Sequence, residues 1–425
     1  VATDTLTTAD AILKEFYVGP IVEQLNHKTF MIDRIERDTT SIDFTGRRAI
    51  VPVEKARNRG RGSRGDGGTL PTAGTDQELD AIIPIRQHYQ AIELTDSLVE
   101  QTQSNQGAFI NALDSRVKNA ARFMRKDINR QVFGDGTGLL ATLSSTLTTV
   151  KTTTVDSIQY LHVGDPVDVV RTSNGGTVTG GSSNSVVALT GGATKTVSFN
   201  TAIDMDPGAA LGVYVEGNRN QEMDGLRNIA ATTRTLHTIN SATAGNEFWN
   251  GQVRTVGTQA GSEQVAGETS FELISDDVGA TGQGETQAFV TTRGVRRRLA
   301  DTFQSQKRFT NKEAVQIRGG YSAIMVSSGA GEVPVLIDDD CPKTWAFAVD
   351  NDALRWYQLA GPGWIGQPRG EGGGGIFHLK NGSTAGTKQA VWQAWMKWYC
   401  ALGSHAPNRL GALKFCSDDN PGVTA

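Results

Sequence analysis

Few residues in this chain have the types and spacing that reactive or ligand-binding chemistry needs. Asp338, Asp339 and Asp340 could gather a divalent cation, because carboxylate oxygens are the ligands such ions prefer. Consecutive residues of an extended segment point in opposite directions, however, so the run is read as a solvated turn ahead of Pro342. The string Gly134-Asp135-Gly136-Thr137-Gly138 has the glycine density of a phosphate cradle. A P-loop also requires a preceding strand and a Gly-Lys-Ser/Thr end, and both are missing. These glycines follow a helical pattern and are expected to stop it with left-handed backbone. The 6 histidines, at 27, 88, 162, 237, 378 and 405, show no paired metal-ligand spacing, and there is no Gly-x-Ser-x-Gly elbow for a nucleophile. The 3 cysteines, Cys341, Cys400 and Cys416, are odd in number and not closely paired, which fits buried thiols rather than a disulfide framework or a zinc site. The residues therefore yield no catalytic set, no metal set and no cofactor, and the chain is not read as an enzyme.

What does stand out is charge. Between positions 47 and 64 the basic residues Arg47, Arg48, Lys55, Arg57, Arg59, Arg61 and Arg64 face a single acid, Glu54. Arg57, Arg59, Arg61 and Arg64 alternate with glycine and small polar residues, the composition of a mobile cationic loop. No aromatic residue is interleaved to stack on bases, so an acidic protein surface suits this loop at least as well as nucleic acid. Arg64-Gly65-Asp66 spells an integrin-binding tripeptide, but three residues carry too little information to count. The opposite charge lies just upstream: within 1–46, Asp4, Asp10, Glu15, Glu23, Asp33, Glu36, Asp38 and Asp43 outnumber Lys14, Lys28, Arg34 and Arg37.

The cationic loop must be carried by a hairpin. Ala49, Val51 and Val53 alternate on one side of it, and Leu79, Ala81, Ile83, Ile85, Tyr89 and Ala91 on the other. Pro52 and Pro84 remove ladder donors and confine these limbs to edges, so the hairpin is expected to project from its domain. Asp96 or Ser97 with Glu100 resembles a helix start. A long helix is predicted over 106–133, since Phe109, Leu113, Val117, Ala120, Ala121, Met124, Ile128 and Val132 recur at three- and four-residue steps. Of these, Phe109, Leu113, Val117, Met124 and Ile128 are the candidate packing residues. From 160 to 223, short Val-rich runs broken by turns at Asn174-Gly175-Gly176, Gly191-Gly192 and Pro207-Gly208 predict a small barrel or sandwich. Downstream, 285–303 reads as helical, 324–356 as strand-rich and 389–402 as an apolar, Trp-rich stretch.

At 425 residues with 38% hydrophobic side chains, the chain is long enough for several cores. Its 49 glycines exceed the usual share of about 7% and favour short strands and tight turns. Lys plus Arg number 41 against 45 Asp plus Glu, so no global field drives the chain onto a polyphosphate backbone. No run of about 18 apolar residues is present to span a membrane as a helix. The first ten residues lack the blocks of a secretion signal, which predicts folding in a cytoplasm.

Acidic arm, basic hairpin, amphipathic helix ending in Gly-Asp-Gly-Thr-Gly, then a mixed domain: this order resembles the major capsid proteins of tailed bacteriophages, with the Hong Kong 97-type fold. The run 89–138, the segment 320–356 and the stretch 389–415 with Pro407 carry the resemblance, which covers nearly the whole chain. It implies an α+β capsid fold with an N-arm (1–46), an E-loop hairpin (47–88) and a P-domain (89–159 and 376–402) holding the spine helix at 106–133. It further implies an A-domain (224–375 and 403–425), with the block 160–223 as an inserted β-domain. Function would then be assembly: pentamers and hexamers of this chain closing an icosahedral shell around double-stranded DNA, in the bacterial host cytoplasm. DNA would be touched weakly and without sequence preference. Other expected partners are a portal and, where used, scaffold or decoration proteins; no membrane is involved. Arg57, Arg59, Arg61 and Arg64 would make inter-subunit contacts. Some relatives weld E-loop Lys to a P-domain Asn beside a Glu. Here Lys55 is the only lysine of the hairpin, and matching at Pro407 places Ala390 and Lys397 at the Asn and Glu positions, so no weld is expected. Rival readings are a nanocompartment shell of the same fold that encloses cargo enzymes, a secreted β-rich adhesin, and a hydrolase whose site is unrecognised.

Overall fold

The computed structural model describes residues 30–38, 41–43, 48–56, 60–97, 106–144, 149–192, 194–204, 210–307, 324–329, 331–365, 378–381 and 388–419. Two helices and a long sheet build its centre. Helix α1 (Phe30–Asp38) lies against helix α2 (Gln106–Val132), with Arg125 of α2 paired to Asp33 of α1. The predicted stripe on α2 is buried at Ala120, Met124, Ile128 and Val132, while Val117 is half-buried. Ala121, expected on the same stripe, is exposed: it steps off the face by one position, and a methyl group gives little drive to bury it. The side chains of Phe109 and Leu113 lie outside the described residues, as does the continuation of the helix start at Asp96–Ser97.

Helix α2 stops where the glycines begin. Gly136 and Gly138 have φ of +79°, and a Cβ on Gly138 would lie 3.0 Å from the Asn218 carbonyl oxygen. Gly225 is needed for a different reason: a Cβ there would come within 2.3 Å of the Gln131 carbonyl at the helix end. Absence of a side chain lets that loop cross the open carbonyls of the last turn.

The apolar, Trp-rich stretch is the 17-residue strand Lys388–Ser404. It pairs antiparallel with Arg86–Thr95 on one side and with Leu354–Trp364 and His378–Asn381 on the other. Trp398 and Trp356 meet edge to face beneath this sheet, in one core with Met31, Ile128 and Trp249.

The hairpin pairs Arg48–Ala56 with Gln77–Pro84. The single second limb expected over 79–91 is in fact two strands: up to Pro84 the chain pairs within the hairpin, and from Arg86 it pairs with Lys388–Ser404. Proline ends the first ladder because it has no N–H to offer, and the alternation simply runs through the change of partner. The hairpin is also anchored rather than wholly projecting, since Ala81 and Ile83 are buried and Val51, Val53 and Leu79 pack on the core.

A closed six-stranded barrel comprises Leu139–Ser144, Thr149–Val155, Pro166–Arg171, Asn184–Thr190, Thr196–Asp204 and Leu211–Val215. It begins at Leu139 rather than at 160, because Thr-rich strand 149–155, which carries little apolar signal, supplies the middle of the barrel wall. Val167, Val197, Phe199, Ile203 and Val213 fill its interior. A mixed six-stranded sheet forms the remaining unit, in the order Gln252–Thr255, Gly411–Lys414, Ala346–Val349, Ala288–Thr291, Gly331–Ile337 and Ile324–Ser328. Helices α3 (Glu268–Gly282) and α4 (Arg293–Lys307) accompany it. The helix expected over 285–303 starts only at Arg293, because Ala288–Thr291 is a wholly buried central strand of β-forming residues.

Candidate assembly surfaces

Three features stand out among the described residues: an anchor that holds α1, a cationic hairpin tip, and a groove beside α2. The anchor is built on Asn129, which the apolar stripe carries inward next to Ile128 and which is itself fully buried. Its Nδ2 donates to Asp340 Oδ2 at 2.8 Å and to Asp338 Oδ1 and Oδ2 at 3.1 and 3.2 Å. Its Oδ1 accepts from the Ile32 N–H at 3.0 Å, and Asp338 Oδ2 accepts from the Met31 N–H at 2.9 Å. The first turn of α1 is thus tied to α2 and to the turn after strand Gly331–Ile337. Sequence reasoning placed this turn in solvent; instead Asp338 and Asp340 are buried and only Asp339 faces outward, where Arg293 holds it. Consecutive side chains do diverge, as argued, but it is the first and third that turn inward. Burial, then the neighbouring Asp340 carboxyl, pushes Asp338 up to about 7, against the hydrogen bonds from the Asp340 and Met31 backbone and Asn129.

Farther along α2, Arg130 bridges Asp127 and the buried Glu222, tying the helix to the segment after the barrel. Burial opposes the Arg130 charge, yet the two carboxylates hold its guanidinium above its usual value. Burial pushes Glu222 up, partly offset by Arg130. Pairs of this kind locate elements more than they stabilise them.

At the hairpin tip, Arg61 and Arg64 are exposed; Arg57 and Arg59 lie outside the described residues. Arg64 Nε donates to the Thr69 carbonyl at 2.8 Å, and the Gly68 N–H to the Gly65 carbonyl at 3.0 Å, so Arg64-Gly65-Asp66 sits in a tight turn. Leu70 follows, 82% exposed. At the root, the Ile82 N–H donates to the His237 carbonyl at 2.9 Å. Lys55 lies beside the Gly245 turn of its own chain, where a Cβ on Gly245 would be 3.6 Å from Nζ.

The groove, of about 810 Å³, runs between α2, strand Arg86–Thr95 and the barrel. Tyr89, Phe123 and Val163 line it and are all substantially exposed. Nothing in the sequence pointed to it, since its walls come from three separate segments.

His237 is buried and pushed down to about 3 by that burial and by Arg234, and burial likewise lowers His88. Cys341, Cys400 and Cys416 are buried free thiols. Among the described residues, no three His, Cys, Asp or Glu side chains are grouped to hold a metal ion, and no helix is long and apolar enough to cross a membrane.

No protein-family model matches this sequence, and no curated protein does either. The fold, by contrast, has counterparts among solved structures. Over 97% of this chain and 99% of the other, it superposes on a chain of the cyanophage A-1(L) capsid asymmetric unit with a TM-score of 0.59 at 11% identity. The capsid of a native GTA particle (TM-score 0.48, 10% identity, 98% of this chain and 100% of the other) is more distant. So is the capsid of Myoviridae phage XM1 (0.47, 8%, covering 94% and 96%). The cyanophage similarity defines the class: an α+β phage-capsid fold, present from end to end.

Proposed function

We propose that this chain is the major capsid protein of a tailed bacteriophage, of the Hong Kong 97 type, which assembles as pentamers and hexamers into an icosahedral shell around double-stranded DNA. The observation that carries this reading is the end-to-end correspondence with the cyanophage capsid chain, which leaves no large part of either chain unaccounted for. In these terms 1–46 is the N-arm and 47–88 the E-loop, α2 is the P-domain spine helix, and the mixed six-stranded sheet is the A-domain core. The barrel over 139–215 is an insertion into the P-domain. The shell forms in the host cytoplasm, is completed by a portal and by scaffold or decoration proteins where used, and holds its DNA by weak contact, consistent with the near-balanced charge.

Contact between subunits is noncovalent. Specific interfaces bury about 1,600 Å² each in total, and several per subunit make a lattice cohesive although each is modest. The cationic E-loop tip, with Arg57, Arg59, Arg61 and Arg64, docks on an acidic surface of a neighbouring subunit. Negative-stain microscopy of the purified protein tests the reading: closed shells are expected. A chain that stays monomeric under all assembly conditions would overturn it. Replacing Arg57, Arg59 and Arg61 together by Glu should abolish shells while far-ultraviolet circular dichroism of the subunit stays unchanged. Normal shells from that variant would remove the loop's assigned role.

A further inference from the structure

The closed barrel reaches the anchor of α1. Strand Thr149–Val155 leads into the loop 156–161, whose start is fixed by Asp156: its Oδ1 accepts from the Thr142 and Ser157 N–H groups at 2.8 and 2.7 Å. Ile158 and Leu161 belong to the barrel core, while Gln159 and Tyr160 between them reach the acidic turn after strand Gly331–Ile337. Gln159 Nε2 donates to the Asp339 and Cys341 carbonyls at 2.9 and 2.8 Å, and Tyr160 Oη donates to the Asp340 carbonyl at 2.9 Å. Adjacent side chains thus take consecutive carbonyls of the very turn whose carboxyls hold Asn129 and the Met31 N–H. We infer that the barrel is a brace for the N-terminal helix: through Gln159 and Tyr160 it sets the backbone of the 338–341 turn, and so decides whether α1 is held.

Carbonyls matter to the carboxyls for a geometric reason. A peptide unit is planar, so fixing the units on both sides of a residue fixes its backbone angles and the direction of its Cβ. The unit between Asp339 and Asp340 is held at both ends, its carbonyl by Gln159 and its N–H by Asp338 Oδ1 at 2.9 Å. In the next unit Tyr160 holds the Asp340 carbonyl, and the Cys341 N–H donates to the Asp338 carbonyl at 3.2 Å. The Asp340 side chain is therefore aimed at Asn129, which it meets at 2.8 Å. Other contacts support the turn: Arg293 pairs with the Asp339 carboxylate, and the Thr344 N–H donates to Asp418 at 3.3 Å. Neither of those contacts touches the peptide units beside Asp340. Burial raises the Tyr160 hydroxyl well above its ordinary value, so it remains a donor across the neutral range.

Gln159 and Tyr160 are positioning residues that can be changed without emptying the barrel. Both are half-buried, whereas Val167, Val197, Phe199, Ile203 and Val213 fill the barrel interior. The effect is reciprocal by linkage: whatever the docking of α1 gains from the loop, the loop gains from the docking of α1. The inference concerns the subunit itself and stands whether or not the chain forms a shell.

Residue-resolved hydrogen exchange on the full-length subunit tests it, in a chain carrying Gln159→Leu and Tyr160→Phe, which keep side-chain shape and remove the donated bonds. The Met31 and Ile32 amides are expected to exchange about tenfold faster or more, because their acceptors belong to the braced anchor. The barrel amides of Val169 and Thr172, bonded to the Gly181 and Ala210 carbonyls, should keep their protection. Added to chains that already carry Asn129→Leu, the same pair should change Met31 and Ile32 little, since α1 is then already released; an effect that does not pass through the turn would add in full. In the reverse direction, Asn129→Leu should speed exchange of the Leu161 amide, which donates to the Ile158 carbonyl at 3.2 Å. Unchanged Met31 and Ile32 amides beside an intact barrel, or full additivity with Asn129→Leu, would overturn the brace. Should the pair unsettle the barrel amides, Gln159→Leu alone decides by the same comparison, with Tyr160 left in place.

Discussion

Asn129 offers the sharpest test of how the N-terminal helix is held. Leucine has nearly its size and shape, so Asn129→Leu should leave packing intact while removing the amide. Two buried carboxyls, Asp338 and Asp340, then lose their shared Nδ2 donor, and the Ile32 N–H loses its acceptor. Hydrogen bonds to charged groups contribute about 1.5–3 kcal/mol each, and an orphaned buried N–H costs about 1–3 kcal/mol. Two of the first and one of the second total at least ~4 kcal/mol; Asp338, already pushed up to about 7, recovers part of this by taking up a proton. The expected loss is ~3–5 kcal/mol, read from urea unfolding of the subunit by tryptophan fluorescence. Hydrogen exchange should show the Met31 and Ile32 amides losing protection first, because they are the bonds that tie α1 down. A loss below ~1 kcal/mol with those amides still protected would refute the anchor.

Two further outcomes follow from the same region. Ile128→Ala, at a fully buried position of α2, should cost ~2–5 kcal/mol in the same assay, and Ile128→Asp should leave no soluble subunit; a soluble, assembly-competent Asp variant would show that the buried face is misassigned. The Asp338 carboxyl rises on folding from 3.8 to about 7, so between those values the folded chain keeps a proton that the unfolded chain has released. Its contribution to stability is fully present below about pH 4 and is lost as pH rises through about 7. Urea midpoints should accordingly fall between about pH 4 and pH 7 at this group's expense, and Asp338→Asn should flatten that dependence; an unchanged slope would assign the titration elsewhere.

Features written locally in the chain were legible in the sequence. Helix α2 was, because its apolar residues recur with the helical period and its stop is spelled out by glycines whose positive φ the structure requires. Long-range partners were not. The buried Asp338–Asp340 turn depends on an asparagine 209 positions away, and three consecutive acids look solvated until that partner is in place. One local signal was available: the acids lie between the apolar run Val333–Ile337 and Cys341, and such flanks place a turn close to a core. Strand Thr149–Val155 escaped for the opposite reason, since a closed barrel buries only one of its faces and its outward threonines mask the alternation.

The surface features divide along the same line. A cationic tip is a property of contiguous residues, so Arg61 and Arg64 could be singled out from charge alone. The groove is not contiguous: Tyr89 comes from a strand, Phe123 from α2 and Val163 from a barrel loop, and each is unremarkable in its own segment. Phe123 even falls outside the helix's apolar stripe, where a sequence argument treats it as a stray surface residue. Only when the barrel folds beside α2 do the three become neighbours. A projecting feature is therefore easier to read from sequence than a groove, because a projection is one segment and a groove is several.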